Sequence, residues 1–412
     1  MDYQKFLFVG VDTHKNQHTA VVINCFHKSL GYTQTVNDPD SFENFLTKLH
    51  SLSHNDQTLI FGLEDTQGLG HSLAQWLIEE GYTVKEVNPS ITKRERDHST
   101  NPDKSDLVDA EAIANALYAN LDKLPTVEKD ATYKAIRQLN NHRKSLVKRQ
   151  TQLKNRLHNL IHQQYPQYED FFSDTFGKTA LAFWESFPHP AELKHYGEKR
   201  LNKFLKNQSK NISNSKAKSI LSLVNKDSKQ DICTETRNSL IPMLISQLRL
   251  VMNHIEQINQ KLEEAIDECD YQLTTMPGIG YILAAEFIAN VRNISRFDSA
   301  DKLARYAGLA PAEYSSGKSH KQSFKKYGNR DLNHAFYSLA IQQIGITKNG
   351  RIKNPVAYNY YQKKLAEGKA RKVALTCLQR RLVDIIYAMM RDKSAYKLPE
   401  IPEYRVLSKA AS

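Results

Sequence analysis

The sequence predicts an α/β domain followed by an all-α remainder, and three observations carry that expectation. Strand and helix signals alternate over the first 125 residues. From about residue 130 the pattern changes to long helices with apolar residues at heptad spacing. From 271 a Pro-Gly-apolar-Gly turn leads into an apolar helix, and amphipathic helices come after it.

Taken in order, "KFLFVGVD" and "HTAVVIN" read as consecutive strands and "GYTQTV" as a shorter third. "DPDSFENFLTKLHSL" has a helical start signal and places Phe42, Phe45, Leu46 and Leu49 on one helix face. "QTLIFGLE" is a fourth strand, "GLGHSLAQWLIEEG" a helix ended by Gly81, and "YTVKEVN" a fifth strand. After a polar stretch, "SDLVDAEAIANALYANL" is a third helix. This order makes a mixed sheet, and it is the order of the ribonuclease H-like (RuvC-like) fold.

In the helical middle, Leu139, Leu146, Leu153 and Leu160 recur every seven residues, with Arg143 and Gln150 at the intervening positions. A cleaner seam runs through Leu244, Leu248, Val251, Ile255, Ile258, Leu262 and Ala265. The pattern is compatible with pairing in one chain or across a dimer. Residues 166–235 are mixed and polar and carry no functional motif. The "MPGIGYILAAEFIANV" stretch has the shape of a helix-hairpin-helix turn, whose backbone N–H groups at Gly278 and Gly280 can hold a phosphate. A plain helix-starting turn explains that tetrapeptide equally well. The expected domains are therefore 1–125, mixed-sheet; 126–270, helical and coiled-coil; and 271–412, mainly helical.

The chain has 57 Lys plus Arg against 45 Asp plus Glu, a net charge of +12 that favours a polyanionic partner. Cys25, Cys233, Cys269 and Cys377 form no CxxC pair, which argues against a structural zinc site and a disulfide framework and fits a reducing cytoplasm. No segment approaches membrane-spanning length, and a soluble intracellular protein is expected.

Asp12 ends the first strand and Glu64 closes the fourth. With those strands adjacent, both carboxylates emerge at one sheet edge. Asp106 and Asp109, three apart at a helix start, share one helix face. Such a cluster needs positive compensation, and hard oxygen ligands suit Mg²⁺ or Mn²⁺. Two such ions serve phosphodiester chemistry. Singly, each acid has a simpler explanation: helix-dipole complementation for the Asp pair, a strand-end acid for Glu64, with Asp65 its competitor. Jointly, their placement favours a metal site. His14 reads as a surface turn residue, with a metal ligand as the alternative, and Lys15 is placed to touch a phosphate.

Seven stretches now carry a resemblance. "GVDTHK", "GLEDTQG", "VNPSITK" and "KSDLVDAEAIA" resemble, in order and spacing, the N-terminal domain of the DEDD transposases of the insertion sequence one-ten family, related to the Piv DNA invertases. "FDSADKLARYAGLAPAEYSSGK" and "KKYGNRDLNHAFY", together with the Pro-Gly-apolar-Gly turn, resemble that family's C-terminal domain. The resemblance implies a DNA recombinase in which Asp12, Glu64, Asp106 and Asp109 bind the metal. It also implies a nucleophilic serine in "YSSGK", Ser316 with Ser315 as the alternative, which joins DNA through a phosphoserine. A structured bridge RNA pairing with donor and target DNA is implied as a partner. A homo-oligomer, dimer or tetramer, is expected, and no membrane. Tyr327 departs from the family pattern, which often has a basic residue there.

Around the serine, Lys318, Lys321, Lys325, Lys326 and Arg330 are placed to hold phosphates. A solvated basic loop is the simpler account of their composition. "GKS" at 317–319 suggests a Walker A ending, but position 312 is Ala where the motif needs Gly, and no strand signal leads into it. Two rival functions stand beside the recombinase: a metal-dependent, structure-selective nuclease such as a junction resolvase, which needs no serine, and a nucleic-acid-binding scaffold without turnover.

Overall fold

An apolar run such as residues 7–11 is buried on both faces only in the interior of a sheet, and the computed structural model puts it there. The structure describes residues 3–53, 57–66, 68–97, 105–127, 131–193, 196–209, 213–224, 232–310, 312–316, 319–323, 328–347 and 349–398. It divides into two units, Met1–Lys134 with Asn293–Ser299, and Ala135–Arg292 with Ala300–Ser412.

In the first unit the strands are β1 (Phe6–Thr13), β2 (Gln17–Ile23), β3 (Ser29–Val36), β4 (Thr58–Leu63) and β5 (Thr83–Glu86). Their order is β3-β2-β1-β4-β5. β1 pairs antiparallel with β2 and parallel with β4, so the sheet is mixed. The helices are α1 (Pro39–His50), α2 (His71–Glu79), α3 (Pro89–Asp97) and α4 (Asp106–Ala119). Leu7, Val9 and Val11 face a core with Phe42, Phe45 and Leu77. Phe8, Val21 and Ile60 face Ala110, Ile113, Ala114 and Leu117 of α4. The mixed sheet and the adjacency of the first and fourth strands match the sequence expectation.

One element differs. The polar stretch after β5 contains α3, begun by Asn88, whose side chain accepts the N–H of Ser90 at 2.9 Å, with Pro89 as its first residue. An Asn-Pro start signal was present. The hydrophobic period was not, because Ile91 is the one large apolar residue of this helix.

His18, on β2, is buried, and neither ring nitrogen meets hydrogen-bond geometry with a partner. Burial pushes its pKa down, the Asn37 side chain offsets this in part, and the charge of His14 adds to the lowering. The imidazole is thus neutral in the fold while the unfolded chain takes up a proton below about pH 6.5. Stability should therefore fall as pH drops through that value. In denaturant titrations at about pH 5.5 and about pH 7.5, either side of that value, His18→Leu should lose part of this slope. An unchanged slope would remove His18 as its source.

In the second unit two helices of 34 residues, α5 (Ala131–Gln164) and α9 (Thr234–Asp267), run antiparallel. Arg143 Nε donates to Asn259 Oδ1 at 2.6 Å, and Gln164 Nε2 to Asn238 Oδ1 at 2.8 Å. The two seams thus meet within one chain. On α9 the buried apolar positions are Ile241, Ile245, Leu248, Val251, Ile258, Leu262 and Ile266, while Leu244, Ile255 and Ala265 are half-buried. Between the long helices, α6 (Lys178–Ser186), α7 (Gly197–Gln208) and α8 (Lys216–Val224) occupy the stretch that lacked a motif. There Trp184 is fully buried, ringed by Tyr165, Phe171 and Phe183.

The rest of this unit is α10 (Tyr281–Val291), α11 (Ala300–Tyr306), a hairpin of β6 (Ala312–Ser316) and β7 (Ser319–Ser323), then α12 (Arg330–Gln343), α13 (Pro355–Ala366) and α14 (Arg371–Arg391). A strand does lead into the "GKS" tripeptide, contrary to expectation. The chain continues from it into a second antiparallel strand rather than a helix, so the phosphate-loop reading still fails. Among the described residues no helix is long and apolar enough to cross a membrane.

Candidate active-site residues

The acids of the first unit are positioned by two glycines. Gly10-Val11-Asp12 on β1 and Gly62-Leu63-Glu64 at the end of β4 repeat one pattern, and Gly10 pairs with Gly62 in parallel register. A Cβ on Gly10 would lie 2.2 Å from both Ala110 O and Ala114 N, the backbone of α4. Its absence lets α4 rest against β1. Ser105 caps that helix by accepting the N–H of Val108 at 3.3 Å, and Asp106 and Asp109 occupy its first turn.

His14 Nε2 lies 3.1 Å from Asp12 Oδ2 and 3.3 Å from Asp106 Oδ1. Ligand atoms of Asp12, His14 and Asp106 all fall within 4.8 Å of one another. Burial raises the Asp12 pKa, the His14 ring opposes this, and the charges of Asp109, Asp106 and Glu64 each raise it further. The structure thus brings the four predicted acids within electrostatic reach. Crowded carboxylates that raise one another's pKa are relieved by a cation. An oxygen-rich set with one imidazole fits a divalent ion such as Mg²⁺ or Mn²⁺.

The sequence favours a surface turn over a metal ligand for His14 and assigns Thr92 no role. His14 is exposed, as a turn residue should be, yet its ring bridges two of the acids. The signal was its spacing: residues two apart at a strand end point the same way. Thr92, buried on α3, donates its hydroxyl to Glu64 Oε1. It lies within the stretch "VNPSITK", but the helix α3 that carries it leaves no hydrophobic period in the sequence. Asp65, the competitor of Glu64, accepts the N–H groups of Gly68 at 2.7 Å and Leu69 at 2.9 Å and so shapes its own turn. Lys15, shortly after Asp12, is exposed, and its carbonyl accepts from Asn37 at 3.3 Å.

In the second unit the backbone of Ser315 and Ser316 ends β6, paired with His320 and Ser319, and Lys321 lies on β7. Gly317, Lys318, Lys325, Lys326 and Tyr327 lie outside the described residues. Arg330 is exposed at the first position of α12. Gly278 has φ +90°, and a Cβ there would lie 2.9 Å from Gln342 Cβ, so packing against α12 accounts for this glycine. Gly280 caps α10 with open space around it.

A five-stranded mixed sheet with carboxylates gathered beside one helix start, followed by a mostly helical remainder, is consistent with a RuvC-like domain carrying a helical partner. Residues 9–166 match the IS110-type DEDD transposase model, and residues 270–362 match the model described as transposase IS116/IS110/IS902 family. An uncharacterized protein of insertion element IS116 from Streptomyces clavuligerus is 27% identical over 95% of this chain and 96% of its own length. An IS900 protein of Mycobacterium paratuberculosis is 24% identical over 95% of this chain and 97% of its own. A pilin gene-inverting protein of Moraxella lacunata is 31% identical over 34% of this chain and 45% of its own. The chain belongs to the IS110/IS116 family of DEDD transposases. It is an enzyme of DNA transposition and recombination, acting on DNA, in a family whose acids imply divalent metal.

Proposed function

We propose that the protein cuts and rejoins donor and target DNA using Mg²⁺ held by Asp12, Glu64, Asp106 and Asp109, with His14 as a further ligand, and a serine nucleophile, Ser316 or Ser315. The observation that carries this reading is the charge-coupled gathering of the acids about Asp12 in a chain of a DNA transposase family. When bound, the metal would lower the cost of developing charge on the phosphate oxygens. Thr92 orients Glu64, and His14 holds Asp12 and Asp106 together. In the serine step the Oγ–phosphorus bond forms as the bond from phosphorus to a sugar oxygen breaks, and that oxygen takes up a proton.

The remaining elements of the reading are finer. A structured bridge RNA pairs with donor and target, and the excess of basic residues suits two nucleic acids. The 277–280 turn acts as a helix-hairpin-helix phosphate contact, assisted by Lys15, Lys318, Lys321, Lys325, Lys326 and Arg330. The α5–α9 pair is a coiled coil within a homo-oligomer of cytoplasmic protein. Functionally the chain divides at 1–125, 126–270 and 271–412.

Each of Asp12→Asn, Glu64→Gln, Asp106→Asn and Asp109→Asn should reduce strand cleavage at least ~100-fold while leaving DNA binding intact. Chelating divalent metal should do the same. Near-normal cleavage by the Asp12 and Glu64 variants would overturn the reading. A junction resolvase would pass this test too, and the serine separates the two.

A further inference from the structure

The segments flanking the β6–β7 hairpin, at 306–308 and 328–329, meet at one point of the second unit, and that point is polar. Asn329 N–H donates to Tyr306 O at 2.7 Å, just before the hairpin segment begins and just after it ends. Gly328 lies so close to the other leg that a Cβ would be 2.6 Å from Gly308 N. The Asn329 side chain works in both directions. Its Oδ1 accepts the N–H of Leu332 at 2.9 Å, capping α12. Its Nδ2 donates to Asn290 Oδ1 at 2.8 Å and to Tyr306 OH at 3.2 Å.

From Asn290 the bonds continue inward. Asn290 Nδ2 donates to Glu286 Oε1 at 3.1 Å, and the same carboxylate accepts from Lys144 Nζ at 2.5 Å and from buried Asn140 at 2.9 Å. Lys144 also reaches Asp331 on α12, at 2.8 Å. A connected chain thus runs from the long helix α5, through α10, to the foot of the hairpin.

Apolar side chains would join these helices without the cost of burying a carboxylate, but they would set no direction. Hydrogen bonds between fixed partners do set one. We infer that Glu286, Asn290 and Asn329, anchored by Lys144, form a clamp that positions the β6–β7 hairpin and with it the serine that it carries. These are positioning residues. The clamp is read from its own contacts, while its role in catalysis rests on the proposed serine nucleophile.

The test uses the full chain with two substitutions. Asn329→Ser keeps a residue able to cap α12 but is too short to reach Asn290. Asn290→Leu removes the same link from the other side. In each, hydrogen exchange at the amides of Ala312–Ser316 and Ser319–Ser323 should quicken about tenfold. Covalent protein–DNA adduct should form about tenfold more slowly, with melting temperature and DNA affinity nearly unchanged. The double variant should lose less than the sum of the two single ones, because both break the Asn329–Asn290 link, whereas independent destabilisation would add in full.

Unchanged hairpin exchange would overturn the clamp. Faster exchange with an undiminished adduct rate would overturn its positioning role. Absence of any adduct in the unsubstituted protein would refute the serine nucleophile instead, and the exchange measurement would still decide the clamp.

Discussion

Ser316→Ala is expected to eliminate the covalent protein–DNA adduct and lower recombination by about a thousandfold or more, with metal binding by the acids retained. A serine ester of the cut strand keeps the phosphoryl bond available for rejoining, because an incoming sugar hydroxyl displaces the serine and no ATP is spent. A nuclease transfers the phosphate to water, leaves free ends, and needs no serine. The register of β6 pairs the consecutive residues Ser315 and Ser316 with His320 and Ser319. If Ser315→Ala abolishes the adduct and Ser316→Ala does not, the nucleophile is Ser315. Recombination surviving in the double alanine variant would mean that water attacks, and the nuclease reading would replace the recombinase one. Trapping the adduct on labelled DNA in a denaturing gel distinguishes these results.

Gly10→Val is expected to abolish metal-dependent cleavage although residue 10 carries no chemistry. A side chain there meets the α4 backbone at Ala110 and Ala114, which cannot swing aside as a flexible side chain would. Either α4 lifts from β1, separating Asp106 and Asp109 from Asp12, or the fold is lost. A cost of about 3 kcal/mol is expected from overpacking against backbone, and cleavage should drop at least ~100-fold even where the protein remains folded. Gly81→Ala is the contrast. Gly81 has φ +87° but open space around it, so its substitution should cost about 1 kcal/mol and spare cleavage. Normal cleavage by Gly10→Val, measured beside its thermal melt, would show that the approach of α4 to β1 does not set the site.

Much of the first unit was legible because its signals are local. An apolar run, an alternating strand or a capped amphipathic helix is written in adjacent residues, and β1 to β5, α1, α2 and α4 were all readable on that basis. α3 was not, since a helix with Ile91 as its one large apolar residue leaves no hydrophobic period. Its buried Thr92 then went unread with it. The repeated glycine-apolar-acid pattern at Gly10 and Gly62 is visible in the sequence, but its meaning depends on which helix lies over the two strands.

The sequence by itself determined the strand and helix order, the acids at the element ends, the heptad faces of the long helices and the family to which the chain belongs. These rest on hydrophobic period, capping chemistry and motif spacing, all carried by neighbouring residues. Only the tertiary structure decided that the two long helices pair antiparallel within one chain, because heptad seams are equally complementary to any seam of matching length. It alone drew the exposed His14 ring between Asp12 and Asp106, and engaged Asp65 in its own turn. It also tied Lys144 to Asp331 directly, and to Asn329 through Glu286 and Asn290. Those partners lie up to 187 residues apart in the chain, and no local period records a hydrogen bond across such a distance.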